Sequence, residues 1–451
     1  MQLLTILRGI IGIVLVLGIA FLFSNNKRKI NWRLVGVGMA FQIIFGILII
    51  YGDTFRSWFI VLGLPKMLVD WLGNASISLL TFIQDGAKFV FGGLAIAPGA
   101  KDSMGFFFAF QVLPTIVFFA GLSAVLYYTG VLQLVVKGMA YVMARLMGTS
   151  GAETLSNTAN IFMGQTEAPL LVRPYIAGMT QSELFAIMVS GMAHIAGGVM
   201  VSYMQMLGQA SAAAGNMPLH DAQLQFAVYL LTACVMATPA SLVIAKIMFP
   251  ETGAPLTQGT VKIHVEKGAS NVIEAASNGA SDGLKLALNV GAMLIVFIAF
   301  ISLINYLLGQ AGDALGVNAY LQQHYGNPLS MELILGFVLR YIGIGIGVPV
   351  KDALTFGSLF GTKTVLNEFV AYIKLADVIK MGTLSPKGVI MTTFALCGFA
   401  NFSSIAIQLG GIGSMALERK KDIAALGLKA VLAGGLSTLL TAALAGILFT
   451  A

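Results

Sequence analysis

Residues 160–169 read Asn-Ile-Phe-Met-Gly-Gln-Thr-Glu-Ala-Pro and place Glu167 in an otherwise apolar part of the chain. A second carboxylate, Glu368, follows Leu366 and Asn367 in another apolar region. An ionisable side chain inside a membrane segment is costly, so it marks a functional site by default. The alternative is a structural hydrogen-bond network between helices, and two carboxylates in matching positions make that alternative weaker.

Composition places both glutamates in a membrane protein. Hydrophobic residues make up 57% of the chain and charged residues 10%, with a mean hydropathy of +0.88. A soluble domain has about a quarter of its residues charged. The net charge is +7, and the basic residues fall in short clusters between apolar stretches. That distribution follows the positive-inside rule and argues against a nucleic-acid partner. Cys234 and Cys397 lie in apolar stretches and are interpreted as buried small hydrophobes, not as a disulfide.

Several stretches are long and apolar enough to span a bilayer as helices. Six are clear: 3–24, 34–51, 106–128, 224–249, 286–308 and 424–449. Segments 150–179 and 331–363 are also apolar but are interrupted by Gly, Pro and polar residues. Irregular backbone at membrane depth must be buried in protein or line a cavity, so both segments are predicted to be re-entrant hairpins. Each is followed by an apolar segment broken by small residues, 183–206 and 388–411.

Segments 131–147 and 271–288 have apolar residues at helical spacing and are predicted to be interfacial helices. Residues 250–270 are predicted to form an exposed loop. Two basic clusters should lie on the cytoplasmic side. They are Lys27, Arg28, Lys29 and Arg33, and Arg419, Lys420 and Lys421. Both termini would then face outward, which fits about eight crossings.

A polar hairpin followed by a broken helix occurs twice, and paired interruptions in two halves indicate the binding site of a secondary transporter. The fold class predicted is therefore an all-α polytopic membrane protein with an inverted-repeat transport domain. Residues 149–206 and 331–411 would form that domain. Residues 1–148 and 207–330 would be mainly scaffold, and 412–451 would hold the C-terminal transmembrane helix.

Three motifs resemble the signature segments of the concentrative nucleoside transporters. They are 164–167 (Gly-Gln-Thr-Glu), 367–372 (Asn-Glu-Phe-Val-Ala-Tyr) and 398–406 (Gly-Phe-Ala-Asn-Phe-Ser-Ser-Ile-Ala). The order and spacing also agree, from about Phe107 to the C-terminus. The resemblance implies eight membrane helices, two opposed hairpins and interfacial helices in each protomer of a homotrimer. It also implies uptake by an elevator-like movement across the bacterial inner membrane, driven by a sodium gradient or, in some bacterial members, by protons.

The resemblance also implies a substrate site without catalytic residues or an organic cofactor. It puts Gln165, Thr166 and Glu167 at the nucleobase, with Val199 as an apolar wall. It puts Glu368, Asn401 and Ser404 at the ribose, with Phe399 beside them. A carboxylate can accept from ribose hydroxyls in charge-assisted bonds, and an amide can face donors or acceptors on a base edge.

The coupling-ion site implied by the family uses an Asn side chain, backbone carbonyls and a Ser or Thr hydroxyl. Asn160 matches, and Met163 and Ile195 could supply carbonyls, but His194 stands at the hydroxyl position. Sodium prefers oxygen ligands, so an imidazole is a poor substitute. His194 could point away, take up a proton, or be a packing histidine satisfied by a carbonyl. Sodium is the expected coupling ion and a proton is the alternative.

Other functions stay open at this point. A transporter of another small polar substrate and a passive channel both fit an apolar chain with a polar centre. An intramembrane enzyme fits poorly, because the four histidines are scattered: His194, His220, His264 and His324. Residues 357–364 resemble a phosphate loop only faintly, with the wrong glycine spacing. Preference for purine or pyrimidine nucleosides is not encoded in any single motif.

Overall fold

The computed structural model of the protein describes residues 2–96, 102–215, 217–259 and 268–449, with side chains from residue 6 onward. Within these ranges the regular elements are helices, as the composition predicts. The part of the predicted 250–270 loop between 260 and 267 lies outside the described residues.

The first third of the chain forms a series of mostly apolar helices. The helices are α1 (Gln2–Leu22), α2 (Trp32–Ile50), α3 (Gly52–Trp58), α4 (Ile60–Phe91), α5 (Phe108–Gln111), α6 (Leu113–Tyr128) and α7 (Val131–Met147). Helix α7 has the bounds predicted from its periodicity. Its buried residues, such as Leu132, Val136 and Ala140, lie on one face. Helix α4 was not predicted as an element, because Pro65, Lys66 and Asp70 interrupt its apolar pattern.

The segment predicted as the first hairpin contains two short helices, and the helix after it is broken as predicted. Helix α8 (Gly151–Ala159), a 3-10 turn at Ala168–Val172 and the short α9 (Arg173–Ile176) form a helix–loop–helix unit. It is followed by α10 (Gln181–Ala193) and α11 (Gly197–Ala213), so the helix breaks at residues 194–196. Ser150 and Thr180 begin α8 and α10 with capping boxes that use Glu153 and Glu183. Such boxes satisfy the free amides of a helix's first turn.

Two long helices follow, α12 (Leu219–Met248) and α13 (Val272–Ala314). The prediction of a separate interfacial helix at 271–288 is wrong, because α13 continues without a break through the predicted span 286–308. Gly279 and Gly283 explain the continuity. A Cβ at either position would lie 2.6 Å from Ala124 or Ala120, so α13 packs closely on α6 over its first part.

The second half of the chain is also helical. Its helices are α14 (Asn318–Tyr325), α15 (Met331–Gly345), α16 (Ala353–Val365), α17 (Glu368–Lys380), α18 (Pro386–Leu396), α19 (Phe402–Met415) and α20 (Lys420–Leu448). The predicted hairpin 331–363 is a packed pair, α15 and α16, turned by Gly347 in the left-handed region (φ 98°). Glu368 follows the next connection, Leu366–Asn367, as the first residue of α17.

Six helical segments of the described chain are long and apolar enough to cross a membrane. They are Trp32–Ile50, Phe108–Tyr128, Gln181–Ala213, Leu219–Met248, Val272–Ala314 and Leu417–Leu448. Five of the six predicted spans fall in these segments, and the first corresponds to the shorter apolar helix Ile6–Leu22. The protein is a helical, multi-pass membrane protein.

Helices α12 and α20 form the centre of the bundle and contact α1, α2, α10 and α18. Helices α6 and α13 pack mainly on each other, and α13 leaves most of its surface exposed.

The described part of the 250–270 loop is mostly exposed, as predicted. Thr257 is buried, however, and its hydroxyl accepts from the Ala152 amide at 3.0 Å. Cys234 and Cys397 are buried and free, with 3.7 Å between their sulfurs.

Candidate substrate and ion site

The two helix breaks meet inside the bundle. The amide of Phe399 donates to the carbonyl of His194 at 3.2 Å, which joins the second break directly to the first. Gly398 permits this approach, because a Cβ there would lie 2.8 Å from the Met192 carbonyl oxygen. The ends of four half-helices therefore lie together, with their free amides and carbonyls at one place.

The loop of the first hairpin turns tightly at Gly164. Its carbonyl accepts from the amides of Glu167 and Ala168 at 3.2 and 3.1 Å. A Cβ at position 164 would lie 2.2 Å from Oε2 of Glu167, so only glycine lets this carboxylate fold back over the turn. The loop thus presents Gln165, Thr166 and Glu167 in succession.

A hydrogen-bonded series connects the two halves of the predicted site. Gln165 Nε2 donates to Ser404 Oγ at 3.2 Å, and the Ser404 amide donates to Asn401 Oδ1 at 2.9 Å. Asn401 Nδ2 donates to Glu368 Oε2 at 3.1 Å. The three links of this series join residues 239, 3 and 33 positions apart in sequence, and all four residues are buried. The structure brings together four predicted substrate-site residues.

Glu368 is the first residue of α17, and it is 5% exposed. Tyr203, on α11, donates its hydroxyl to Glu368 Oε1 at 3.0 Å. Tyr203 also stacks on Tyr372 with ring centroids 4.3 Å apart. Tyr203 was not predicted, although it is a tyrosine in an apolar segment four residues after Val199, which is on the same helical face. Its hydroxyl needs a partner when buried, and that need was the available signal.

Glu167 has a different environment from Glu368. It is exposed and lines a cavity of about 660 Å³ between the first hairpin, the first break, α6 and α13. Val199, Gly164 and Met163 also line this cavity. Of the two glutamates predicted as a pair, Glu167 therefore faces a cavity and Glu368 is enclosed by protein.

The remaining predicted substrate residues border the same region. Thr166 is half-buried and faces Gly411 of α19, where a Cβ would lie 2.6 Å from its Cγ2. Phe399 is half-buried beside Asn401. Gln408 was not predicted, yet its Nε2 donates to Gln165 Oε1 at 3.1 Å and to the Met188 carbonyl at 2.9 Å. It fixes the orientation of the Gln165 amide.

Asn160 has the properties expected of a cation ligand. It is 1% exposed, its Nδ2 donates to Ser190 Oγ at 3.0 Å, and its Oδ1 has no hydrogen-bond partner among the described residues. A buried oxygen of this kind suits a hard cation. Met163 is half-buried next to the loop, and Ile195 is buried in the break.

Both ring nitrogens of His194 have partners other than Asn160. Its Nδ1 lies 2.8 Å from the Ser190 carbonyl oxygen and its Nε2 lies 3.0 Å from Thr238 Oγ1. A carbonyl can only accept, so Nδ1 carries the proton in that contact. The ring therefore donates to a carbonyl in the last turn of α10 and contacts Thr238 of α12. These contacts are those of a packing histidine satisfied by a carbonyl.

Lys363 is a further residue that the sequence did not identify. It is fully buried near the end of α16, and its Nζ donates to the Ala395 carbonyl at 2.8 Å and to Thr438 Oγ1 at 3.1 Å. Ala395 lies in the last turn of α18, whose carbonyls lack helical partners. The ammonium thus caps the half-helix that ends at the second break.

Models of known protein families match most of the chain. Models described as Na⁺-dependent nucleoside transporter N-terminus, nucleoside recognition, and Na⁺-dependent nucleoside transporter C-terminus match residues 11–94, 109–210 and 229–446. The chain belongs to the concentrative nucleoside transporter family. It is thus a member of a family of transporters, not of enzymes.

Individual relatives match along nearly their full length. The chain is 43% identical over 447 residues to an uncharacterized transporter of Haemophilus influenzae, covering 98% of both chains. It is 38% identical to the nucleoside permease NupC of Helicobacter pylori, with 97% of each chain covered. An inward-facing, substrate-bound structure of CNTnw matches with a TM-score of 0.83 and 38% identity, covering 99% of this chain and 98% of that one. An outward-facing structure of a CNTnw variant gives a TM-score of 0.85 with the same identity and coverage.

Proposed function

We propose that this protein is a secondary active symporter that imports nucleosides such as uridine across the bacterial inner membrane. The observation that carries the proposal is the hydrogen-bonded series Gln165–Ser404–Asn401–Glu368 beside the cavity that Glu167 lines. Amide, hydroxyl and carboxylate groups at the meeting point of two helix breaks suit a neutral ligand with many hydroxyls. A volume of about 660 Å³ is typical of small-molecule sites.

The nucleobase would bind at Gln165, Thr166 and Glu167, with Val199 as an apolar wall. Glu167 and Val199 line the cavity, and Gln165 and Thr166 precede Glu167 in the same loop. The ribose would bind at Glu368, Asn401 and Ser404 beside Phe399, where the second break supplies buried polar side chains. Substrate hydroxyls would then replace contacts that these side chains make with one another.

We propose sodium as the coupling ion, bound by Asn160 Oδ1 and by the carbonyls of Met163 and Ile195. The partnerless Asn160 Oδ1 supports an oxygen site. His194 would act by holding the end of α10, since both of its ring nitrogens already have partners. Proton coupling is the alternative.

Transport would follow an elevator mechanism, in which the hairpins and broken helices move against α6 and α13. The protein would be a homotrimer, and each chain would cross the membrane eight times. The close pairing of α6 with α13 supports this division. The two hairpin-and-break units would be related as an inverted repeat, with both hairpins re-entrant. The lipid bilayer and the neighbouring protomers would cover the exposed apolar surfaces.

The decisive measurement is uptake of [3H]uridine into proteoliposomes under an imposed sodium gradient at constant pH. Accumulation above the external concentration is expected, and it would rule out a passive channel. Uptake that ignores sodium and follows a proton gradient would replace sodium with a proton. Competition by unlabelled uracil as strong as that by uridine would contradict the ribose site and favour another substrate.

A further inference from the structure

A row of buried oxygen-bearing side chains runs along one face of α8. Glu153, Asn157 and Asn160 stand at positions i, i+4 and i+7, which share a face of a helix. Each is at most 1% exposed. The row starts at the proposed ion ligand Asn160 and extends about 10 Å along the helix, at 1.5 Å per residue.

The two amides in this row are held with their oxygens free. Asn157 Nδ2 donates to Ser241 Oγ at 2.9 Å, and Asn160 Nδ2 donates to Ser190 Oγ at 3.0 Å. Oδ1 of Asn157 and Oδ1 of Asn160 have no hydrogen-bond partner within the described chain. Buried polar atoms normally have partners, so two successive exceptions on one face point to an ion or water that binds there.

Neighbouring helices enclose the row with hydroxyl groups. Ser190 of α10 contacts both residues, because its Oγ also donates to the main-chain carbonyl of Asn157 at 3.5 Å. Ser241 of α12 faces Asn157 from the other side. Both serines are fully buried. The surroundings thus offer neutral oxygens, which suit a hard monovalent cation.

The row ends at an ion pair near the protein surface. Lys246 Nζ lies 2.6 Å from Glu153 Oε2 and 3.4 Å from Oε2 of Glu251, whose side chain is 26% exposed. The same end of α12 lies beside the first basic cluster, since the Asn25 amide donates to the Met248 carbonyl at 3.0 Å. That cluster is predicted to be cytoplasmic, so the row connects the ion ligand with the cytoplasmic face.

We propose that this row is the path by which the coupling cation leaves Asn160 for the cytoplasm. Asn157 Oδ1 is the intermediate ligand, and Glu153 receives the cation at the inner end. The Lys246 ammonium contacts both Glu153 and the more exposed Glu251, so it keeps Glu153 paired when no cation is there. This inference rests on the proposed cation-coupled function and adds to it a route that is separate from the nucleoside cavity.

The test compares two transport modes of Asn157→Leu in proteoliposomes. Counterflow exchanges labelled for unlabelled uridine and can proceed with the cation still bound, whereas net uptake requires cation release. We expect net gradient-driven uptake to fall about tenfold, because one buried ligand oxygen is lost, and counterflow to be unchanged. Asn157→Ser keeps an oxygen and should restore most of the net uptake.

Thr158→Val is the matched control on the same helix. Thr158 is equally buried but points off the row, and its hydroxyl donates to the Thr154 carbonyl at 2.8 Å. Equal net uptake by Asn157→Leu and the wild type would overturn the path. Equal losses of counterflow and net uptake would also overturn it, since they would show a structural role. A wild type without any cation-driven uptake would contradict the proposed function instead.

Discussion

At the scale of single residues, the two glutamates show that the same side chain can have two different environments. Glu368 is enclosed and has a partner on each oxygen, whereas Glu167 faces a cavity. A buried carboxylate is stable only when other groups compensate for its lost hydration. Tyr203 and Asn401 supply that compensation in this structure, so the carboxylate is held in place before a ligand arrives.

The effect of Tyr203→Phe follows from this arrangement. Removing the hydroxyl should leave Glu368 Oε1 without its donor and weaken uridine binding about tenfold, because a hydrogen bond to a charged group contributes about 1.5–3 kcal/mol. Isothermal titration calorimetry of the purified protein measures the change. Tyr229→Phe is a matched control, since Tyr229 is a buried tyrosine of α12 that packs on Phe226 and Phe394 instead. Unchanged affinity in Tyr203→Phe would show that the hydroxyl does not orient Glu368.

At the scale of elements, the important contact is the crossing of the two broken helices. It depends on backbone touching backbone, as in the bond between the Phe399 amide and the His194 carbonyl. Side chains around the crossing can adjust by changing rotamer, but the main chain of α10 cannot move without shifting the whole half-helix.

Gly398→Ala tests the crossing directly. The new methyl would lie 2.8 Å from the Met192 carbonyl oxygen and 3.0 Å from the Ala193 carbonyl carbon, so the breaks would be pushed apart. Overpacking of this kind costs about 1–3 kcal/mol, and we expect a lower melting temperature together with loss of uridine uptake. Gly410→Ala in α19 is the control, because its added methyl meets open space. Equal behaviour of the two variants would argue against a tight crossing.

At the scale of the whole molecule, the cavity divides the hairpin side of the protein from α6 and α13. Its lining from α13 includes Asn278 and Asp282, and its lining from α6 includes Ser123 and Tyr127. The cavity also reaches Gly268, in the chain that follows the end of α12 predicted to be cytoplasmic. This conformation would therefore open the Glu167 side of the site toward the cytoplasm.

Labelling of Ser123→Cys measures that access. A membrane-impermeant thiol reagent should modify the variant faster from the cytoplasmic side, and uridine should slow the reaction by occupying the cavity. The native cysteines provide the internal control, because Cys234 and Cys397 are buried and the unmodified protein should not react. Faster labelling from the outside would place the opening on the opposite face.

The sequence by itself determined the membrane class, the broken helices and the motif residues of the candidate site. Hydropathy over about 20 residues is a local property, and so are the Gly, Pro and polar interruptions that mark residues 160–169 and 398–406. The first and last residues of helix α7 were predicted correctly because its apolar spacing is also a local pattern. The uninterrupted length of α13 could not be read in this way, because its first turns are stabilised by glycine contacts with α6.

Only the tertiary structure decided which polar groups are partners. Tyr203, Gln408 and Lys363 contact the site through pairings separated by up to 243 residues, and no local pattern encodes such pairings. It also decided that His194 faces Thr238 while the Asn160 oxygen stays free. Side-chain direction at a helix break depends on which helices pack around it, and that packing exists only in the folded chain.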